Sequence, residues 1–137
     1  NQSFDFILAN YANPDTVAHT GNYHAAIEAV KTIDHEIGRL VKAVLPTPVT
    51  LLITADHGNI EEVINPMTGH PETQHDPNPV PFYLIGTDYK GRRFTNYKNI
   101  HQPVGILADV APTILEILGV EQPPVMTGRS LLKELII

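Results

Sequence analysis

The sequence predicts an α/β protein with a mostly parallel sheet flanked by helices. Three observations carry that prediction. A short apolar segment containing Phe4, Phe6, Ile7 and Leu8, and a denser one over Val49–Thr54, read as strands. Between them, Ala26, Ala29, Val30, Ile33, Ile37, Leu40, Val41 and Val44 recur at intervals of three and four, the period of an amphipathic helix. Strand, helix and strand in about 50 residues make a βαβ unit, whose two strands run parallel with a right-handed crossover.

Each element has a local justification. Asn10-Tyr11-Ala12-Asn13-Pro14 ends the first strand, and Pro14 suits the first turn of a helix because its missing N–H would be unpaired there anyway. Asp15 to His19 forms that turn and Gly21 closes it. The long helix runs from about Asn22 to Leu45 and stops at Pro46. The strand at 49–54 is bounded by Pro46 and Pro48 and reads as buried. Ile60 to Ile64 makes one helical turn. A loop rich in Pro, Gly, Asn and Thr then runs from Asn65 to Pro79, a length more often functional than not. Val80–Ile85 is a third strand, which Pro79 and Pro81 place at a sheet edge. Thr87 to Gln102 is a polar surface excursion. Asp109 is the N-cap of a helix with Pro112 in its first turn, with Val110, Ile114, Leu115, Ile117 and Leu118 on its buried face and Gly119 at its C-cap. Ser130 to Ile137 form a short terminal helix.

Composition bounds the class. With 137 residues, 42% hydrophobic and 18% charged, the chain fits one globular domain rather than a disordered one. No apolar run approaches the roughly 18 residues of a membrane span, and nothing at the start resembles a signal peptide. The absence of cysteine excludes a disulfide framework and thiolate metal sites, and is compatible with a cytoplasmic protein. A net charge of −6 argues against a nucleic-acid groove. The chain enters a hydrophobic strand almost at its first residue, from which a segment of a longer polypeptide is expected.

Seven histidines supply material for metal binding, and three clusters concentrate it. Asp15 and His19, four apart, share one helical face. Asp56 and His57 end the strand at 49–54, where open α/β sheets place their ligands. His75 lies in the long loop. Two imidazoles and a carboxylate form a known three-ligand set, so Asp15, His19 and His75 make one candidate site, with Asp56 and His57 as half of a second. Each pair also has an ordinary reading: a capping Asp beside a surface His, and a strand-end turn with Asp bonded to backbone. Paired ions about 3.5–4 Å apart are the usual clamp for in-line phosphoryl transfer. His24 and His35 read as helix-surface residues, His70 as a loop residue or a group behind a ligand, and His101 as structural or solvated. Glu61 and Glu62 read as a solvated turn, with orientation of a ligand His as the sharper alternative.

Asn10 to Gly21, Thr54-Ala55-Asp56-His57-Gly58-Asn59, and His75 followed by Asn78-Pro79-Val80-Pro81-Phe82 resemble the 2,3-bisphosphoglycerate-independent phosphoglycerate mutases of the alkaline phosphatase superfamily. The resemblance covers essentially the whole chain in order, including Ala108–Thr113 and Thr127–Leu132. It implies an alkaline-phosphatase-like fold and an enzyme that interconverts 2- and 3-phosphoglycerate in glycolysis through a phosphoserine intermediate. It also implies two divalent ions, typically Mn2+, with Zn2+, Co2+ or Mg2+ as alternatives. Carried over by motif, Asp15, His19 and His75 hold one ion, and Asp56 and His57 the other, with a further Asp and the nucleophilic Ser that lie upstream in the family. Ser3 and Ser130, the only serines, match no nucleophile motif.

Residues 1–137 thus resemble the C-terminal part of the phosphatase domain, without the nucleophile segment and the inserted transferase domain with its Arg-rich pocket. On this reading the chain has no catalytic residue of its own and is inactive alone. Its parent is a cytoplasmic monomer with no nucleic-acid or membrane partner. Asp76-Pro77 departs from the family's pattern, adding a carboxylate beside His75 and stiffening the loop. A phosphopentomutase or phosphatase of the same superfamily is the alternative enzyme, although Asn10–Asp15 and Asn78–Phe82 favour the mutase. A non-catalytic metal-binding remnant is the alternative from another class.

Overall fold

The computed structural model describes residues 4–89 and 102–135. The chain divides into two compact units, Asn1–Lys42 with His57–Asn78, and Ala43–Asp56 with Pro79–Ile137.

In the first unit, helix α1 (Asn13–Ala18) carries Pro14 in its first turn, as its sequence predicts. It ends where Gly21 turns left-handed at φ 66°, with the Gly21 N–H donating to Ala18 O at 2.9 Å. Helix α2 (Tyr23–Val44) fills the span its periodicity predicts. Asn22 opens it by accepting the Ala25 N–H on its side-chain oxygen at 3.1 Å, so the cap lies at the first residue of the predicted span. Its solvent face carries Lys31–Glu28 and Arg39–Glu36 pairs one turn apart. His24 and His35 are exposed on it, as expected. The core of this unit is small: Ala18, Ala26 and Val63 are buried, with Val17 and Ile60 packed against them. Ala18 and Ala26 carry only a methyl each, so the backbones can approach closely around them.

The segment after the 3-10 turn Ile60–Glu62 is more regular than its composition suggests. Asn65 accepts the N–H groups of Met67 and Thr68 on its side-chain oxygen, and its own N–H donates to His70 O at 2.9 Å. Single antiparallel bridges then join Ile64 to Pro71 and Gly58 to Asp76. His70 is an exposed member of this turn.

In the second unit, strands β1 (Leu51–Thr54) and β2 (Phe82–Ile85) pair antiparallel, with Leu51 opposite Ile85 and Thr54 opposite Phe82. β2 begins after Pro81, the ring that withholds an N–H from the ladder. Helix α3 (Val110–Leu118) ends at Gly119, left-handed at φ 67°, and α4 spans Leu132–Leu135. Thr113 ties the tail to α3: its hydroxyl donates to Asp109 O at 2.7 Å and accepts the Leu131 N–H at 2.9 Å.

Several expectations need correction. The paired strands are antiparallel, so the sheet seen here is not the mostly parallel one predicted. Residues 4–8 form no strand; Phe4, Ile7 and Leu8 are 74, 77 and 82% exposed, and no described strand supplies the partner that a ladder needs. For the same reason β1 is half-buried rather than buried. Asp109 stands at the N-cap position of α3 as predicted but makes no side-chain cap bond, because it sits in helical conformation inside the preceding 3-10 turn, Leu107–Asp109. Its carboxylate instead accepts the Ile106 N–H at 2.9 Å and the Arg129 N–H at 2.8 Å. On α3 the fully buried residues are Pro112 and Thr113, while Leu118, predicted on the buried face, is exposed. The readings of Ser3 and His101, and residues 90–101 of the polar excursion, lie outside the described residues.

Candidate metal centre

The first unit gathers Asp15, His19 and His75 from two distant stretches of chain. α1 supplies Asp15 and His19 one turn apart, and the loop after Thr73 supplies His75. The bridge between Gly58 and Asp76 fixes the backbone next to His75: Asp76 N–H donates to Gly58 O at 3.0 Å. Asp15 Oδ1 stands 3.2 Å from His19 Nε2 and 3.1 Å from His75 Nε2, and the two Nε2 atoms are 3.3 Å apart.

That triangle fits one ion. Donor atoms held tetrahedrally at about 2.0–2.1 Å from a metal stand about 3.3–3.4 Å from one another. The tautomer of His19 agrees. Its Nδ1 lies 2.6 Å from Thr73 O, a pure acceptor, so Nδ1 carries a proton, and the tautomer this selects presents the Nε2 lone pair toward Asp15 and His75. A carboxylate oxygen facing an imidazole lone pair is a repulsive contact that a cation or a proton relieves. The Asn59 amide donates to Asp15 Oδ1 at 2.7 Å. That bond, followed by the nearby His19, His75 and His57, holds the Asp15 carboxyl below the ordinary Asp range, against the opposing effect of burial.

The other predicted ligands are placed differently. The His57 ring stacks on His75, with centroids 3.6 Å apart and planes 19° from parallel. Asp56 is exposed at the end of the second unit's segment, one residue from His57 in the chain. Neither belongs to the three-residue group whose ligand atoms lie within 4.8 Å of one another. Asp76 is not in that group either; its Oδ1 accepts the Asn78 N–H at 2.8 Å, closing a turn that Pro77 stiffens.

Two supporting groups stand out. Asn59 is only 4% exposed, although the sequence presents it simply as the end of a polar motif. Glu61 is no plain solvated turn residue. Its Oε2 accepts the Asn59 N–H at 2.9 Å. Partial burial works to raise the Glu61 pKa, but hydrogen bonds from the backbone of Asn59 and Glu61 and from the Asn78 side chain outweigh it and hold the carboxyl below its ordinary value. The signal available in the sequence was the Asn-x-Glu spacing directly after Asp-His-Gly.

An imidazole–carboxylate cluster of this kind suits a metal ion, and residues 1–122 match the family model of the metalloenzyme superfamily; the chain belongs to that superfamily. Within it, the chain is similar to 2,3-bisphosphoglycerate-independent phosphoglycerate mutases. It is 49% identical to that of Syntrophotalea carbinolica over 130 residues, covering 95% of this chain and 24% of the relative. It is 50% identical to that of Gloeobacter violaceus over 135 residues, covering 97% and 25%. Among solved structures it resembles Leishmania mexicana phosphoglycerate mutase, crystallised at low cobalt concentration. The TM-score there is 0.67 at 28% identity, over 88% of this chain and 23% of that one. The fold is thus of the alkaline-phosphatase-like kind. The chain spans about a quarter of the length of the curated relatives it matches. Among the described residues no helix is long and apolar enough to cross a membrane.

Proposed function

We propose that this chain is the metal-binding C-terminal part of the phosphatase domain of a cofactor-independent phosphoglycerate mutase, a cytoplasmic enzyme of glycolysis. The observation that carries the proposal is the triangle of Asp15 Oδ1, His19 Nε2 and His75 Nε2, assembled across 60 residues of sequence with edges of 3.1–3.3 Å. Its occurrence in a chain 44–50% identical to enzymes of that name gives the triangle a chemical purpose.

Asp15, His19 and His75 hold one divalent ion. Asp56 and His57 contribute to a second, Mn2+ being the first choice among Mn2+, Zn2+, Co2+ and Mg2+. When bound, such ions neutralise charge on a transferring phosphoryl group. The work of this chain's residues is positional. Thr73 O sets the His19 tautomer, and the Gly58–Asp76 bridge fixes the backbone beside His75. The nucleophilic Ser, the last ligands of the second ion and the pocket for 2- and 3-phosphoglycerate come from outside residues 1–137. The parent acts as a monomer through a phosphoserine intermediate.

The test uses the full-length parent and the isolated chain side by side. The parent interconverts 2- and 3-phosphoglycerate, Asp56→Ala in it abolishes turnover with the fold intact, and the pure 137-residue chain turns over neither phosphoglycerate nor a simple phosphate ester. Turnover by the pure chain refutes the division of labour. Wild-type turnover in Asp56→Ala removes Asp56 from the ligand set. Activity on ribose phosphate without activity on phosphoglycerate moves the parent to the phosphopentomutases.

A further inference from the structure

We infer that Asn59 is a positioning residue for Asp15, and that Glu61 in turn holds Asn59; the inference rests on the reading of Asp15, His19 and His75 as metal ligands. Asp15 sits on a six-residue helix at the surface, with its side chain 40% exposed, and little packing restrains its carboxylate. The donor outside the ligand set that reaches it is the Asn59 amide, at 2.7 Å from Oδ1 across 44 residues of sequence. Nδ2 must be the atom facing Asp15, because an amide oxygen there would oppose a carboxylate oxygen.

Asn59 can impose an orientation because it is itself fixed. Its side chain is buried. Its N–H donates to Glu61 Oε2 at 2.9 Å and its C=O accepts the Glu62 N–H at 3.1 Å, so both faces of its backbone are anchored to the 3-10 turn. Glycine at position 58 lets the turn close: a Cβ there would collide with Asp76 Oδ1 and Glu61 Oε1. The chain of contacts therefore runs from Glu61 through Asn59 to Asp15. It fixes the carboxylate plane against the two Nε2 atoms before any ion arrives, so less ordering remains to be done on binding. Groups that orient a ligand in this way typically change metal affinity by about 10- to 100-fold when removed.

The test titrates Mn2+ into the 137-residue chain by calorimetry, with the electron-spin-resonance signal of free Mn2+ as an independent count, and records metal-free melting of every variant. Asn59→Ala should weaken Mn2+ binding by about 10-fold or more. Glu61→Ala should weaken it by a smaller factor, and Glu61→Gln, which keeps an acceptor for the Asn59 N–H, should restore it. Metal-free melting should not follow this order. Should Asn59→Ala fail to fold, the exposed Glu61 pair carries the comparison. Wild-type affinity in both Asn59→Ala and Glu61→Ala, with a wild-type chain that does bind Mn2+, overturns the inference and leaves the ligand set standing. A wild-type chain that binds no Mn2+ overturns the ligand reading and this inference with it.

Discussion

His75→Ala gives the sharpest test of the ligand triangle, because it removes one corner of it, together with the stack of His75 on His57. The His75 side chain is about half exposed, so its loss with that stack should lower metal-free stability by about 0.5–1.5 kcal/mol. What it removes is Nε2, 3.1 Å from Asp15 Oδ1 and 3.3 Å from His19 Nε2, leaving two protein ligands of three. Losing even a supporting partner can cost about 100-fold in metal affinity, so the loss of a ligand should cost at least that, or about 2.8 kcal/mol.

The assay is thermal melting with and without Mn2+. At a concentration 100 times the wild-type Kd, the ion stabilises the folded chain by about 2.7 kcal/mol, whereas a variant binding 100-fold more weakly gains only about 0.4 kcal/mol. For a chain of 137 residues, at about 4 °C per kcal/mol, the wild-type Tm should rise by about 11 °C and that of the variant by about 2 °C. An equal Mn2+-induced rise in both proteins, each measured from its own metal-free Tm, would show that the ion does not sit between Asp15, His19 and His75.

Three further outcomes follow from other contacts in the chain. Asp109→Ala leaves the Ile106 and Arg129 N–H groups without their acceptor, and at about 1–2 kcal/mol for each bond it should lower stability by about 3 kcal/mol in urea unfolding. The Arg129 and Ile106 N–H bonds, with the Arg129 charge, hold the Asp109 carboxyl below the ordinary Asp range, against burial. A group depressed in the fold adds stability above its unfolded pKa and loses it as pH falls through the folded value. Wild type should therefore lose more stability than Asp109→Ala as pH falls from 5 to below the ordinary Asp range, and parallel losses would remove Asp109 from the account. Gly58→Ala should destabilise the metal-free chain by about 1–2 kcal/mol, because Asp76 Oδ1, held by the Asn78 N–H, cannot swing clear of a new Cβ. It should also weaken Mn2+ binding through Glu61, and a variant with unchanged melting and affinity would contradict the close packing there.

The parts of the fold legible in the sequence are those that local chemistry decides. α2 follows from eight apolar positions at helical spacing, and its termini from Asn22 and Pro46. α1 follows from Pro14 and Gly21, and the end of α3 from Gly119. Strand pairing was not legible in this way. An apolar run such as Phe4–Leu8 has no ladder of its own; it becomes a strand only beside another, and composition does not name the neighbour. Asp109 was legible as the N-cap position of α3 but not in its bonding. Its residue type suits an N-cap, but the chain before it already turns helically, so its carboxylate bonds the Ile106 and Arg129 N–H groups.

The candidate site divides along the same line. Residue identity and spacing were enough to single out Asp15, His19 and His75, because few other side chains ligate a borderline metal and the i, i+4 pair declares its shared face. What arranges them was hidden, since it consists of bonds whose partners lie tens of residues apart. The Asn59 amide reaches Asp15 across 44 residues and the Thr73 carbonyl reaches His19 across 54. A carbonyl is present at every residue, so no sequence signal marks Thr73 as the one that sets a tautomer. Asn59 differs, because it lies in a motif whose Asp and His draw attention first. A buried amide two residues after a ligand-type Asp-His pair, followed by a Glu two positions on, is a pattern with a mechanical meaning: the turn that follows His57 braces the carboxylate of Asp15. A change at Gly58 or Asn59 should therefore register at Asp15 even though Asp15 is remote in sequence.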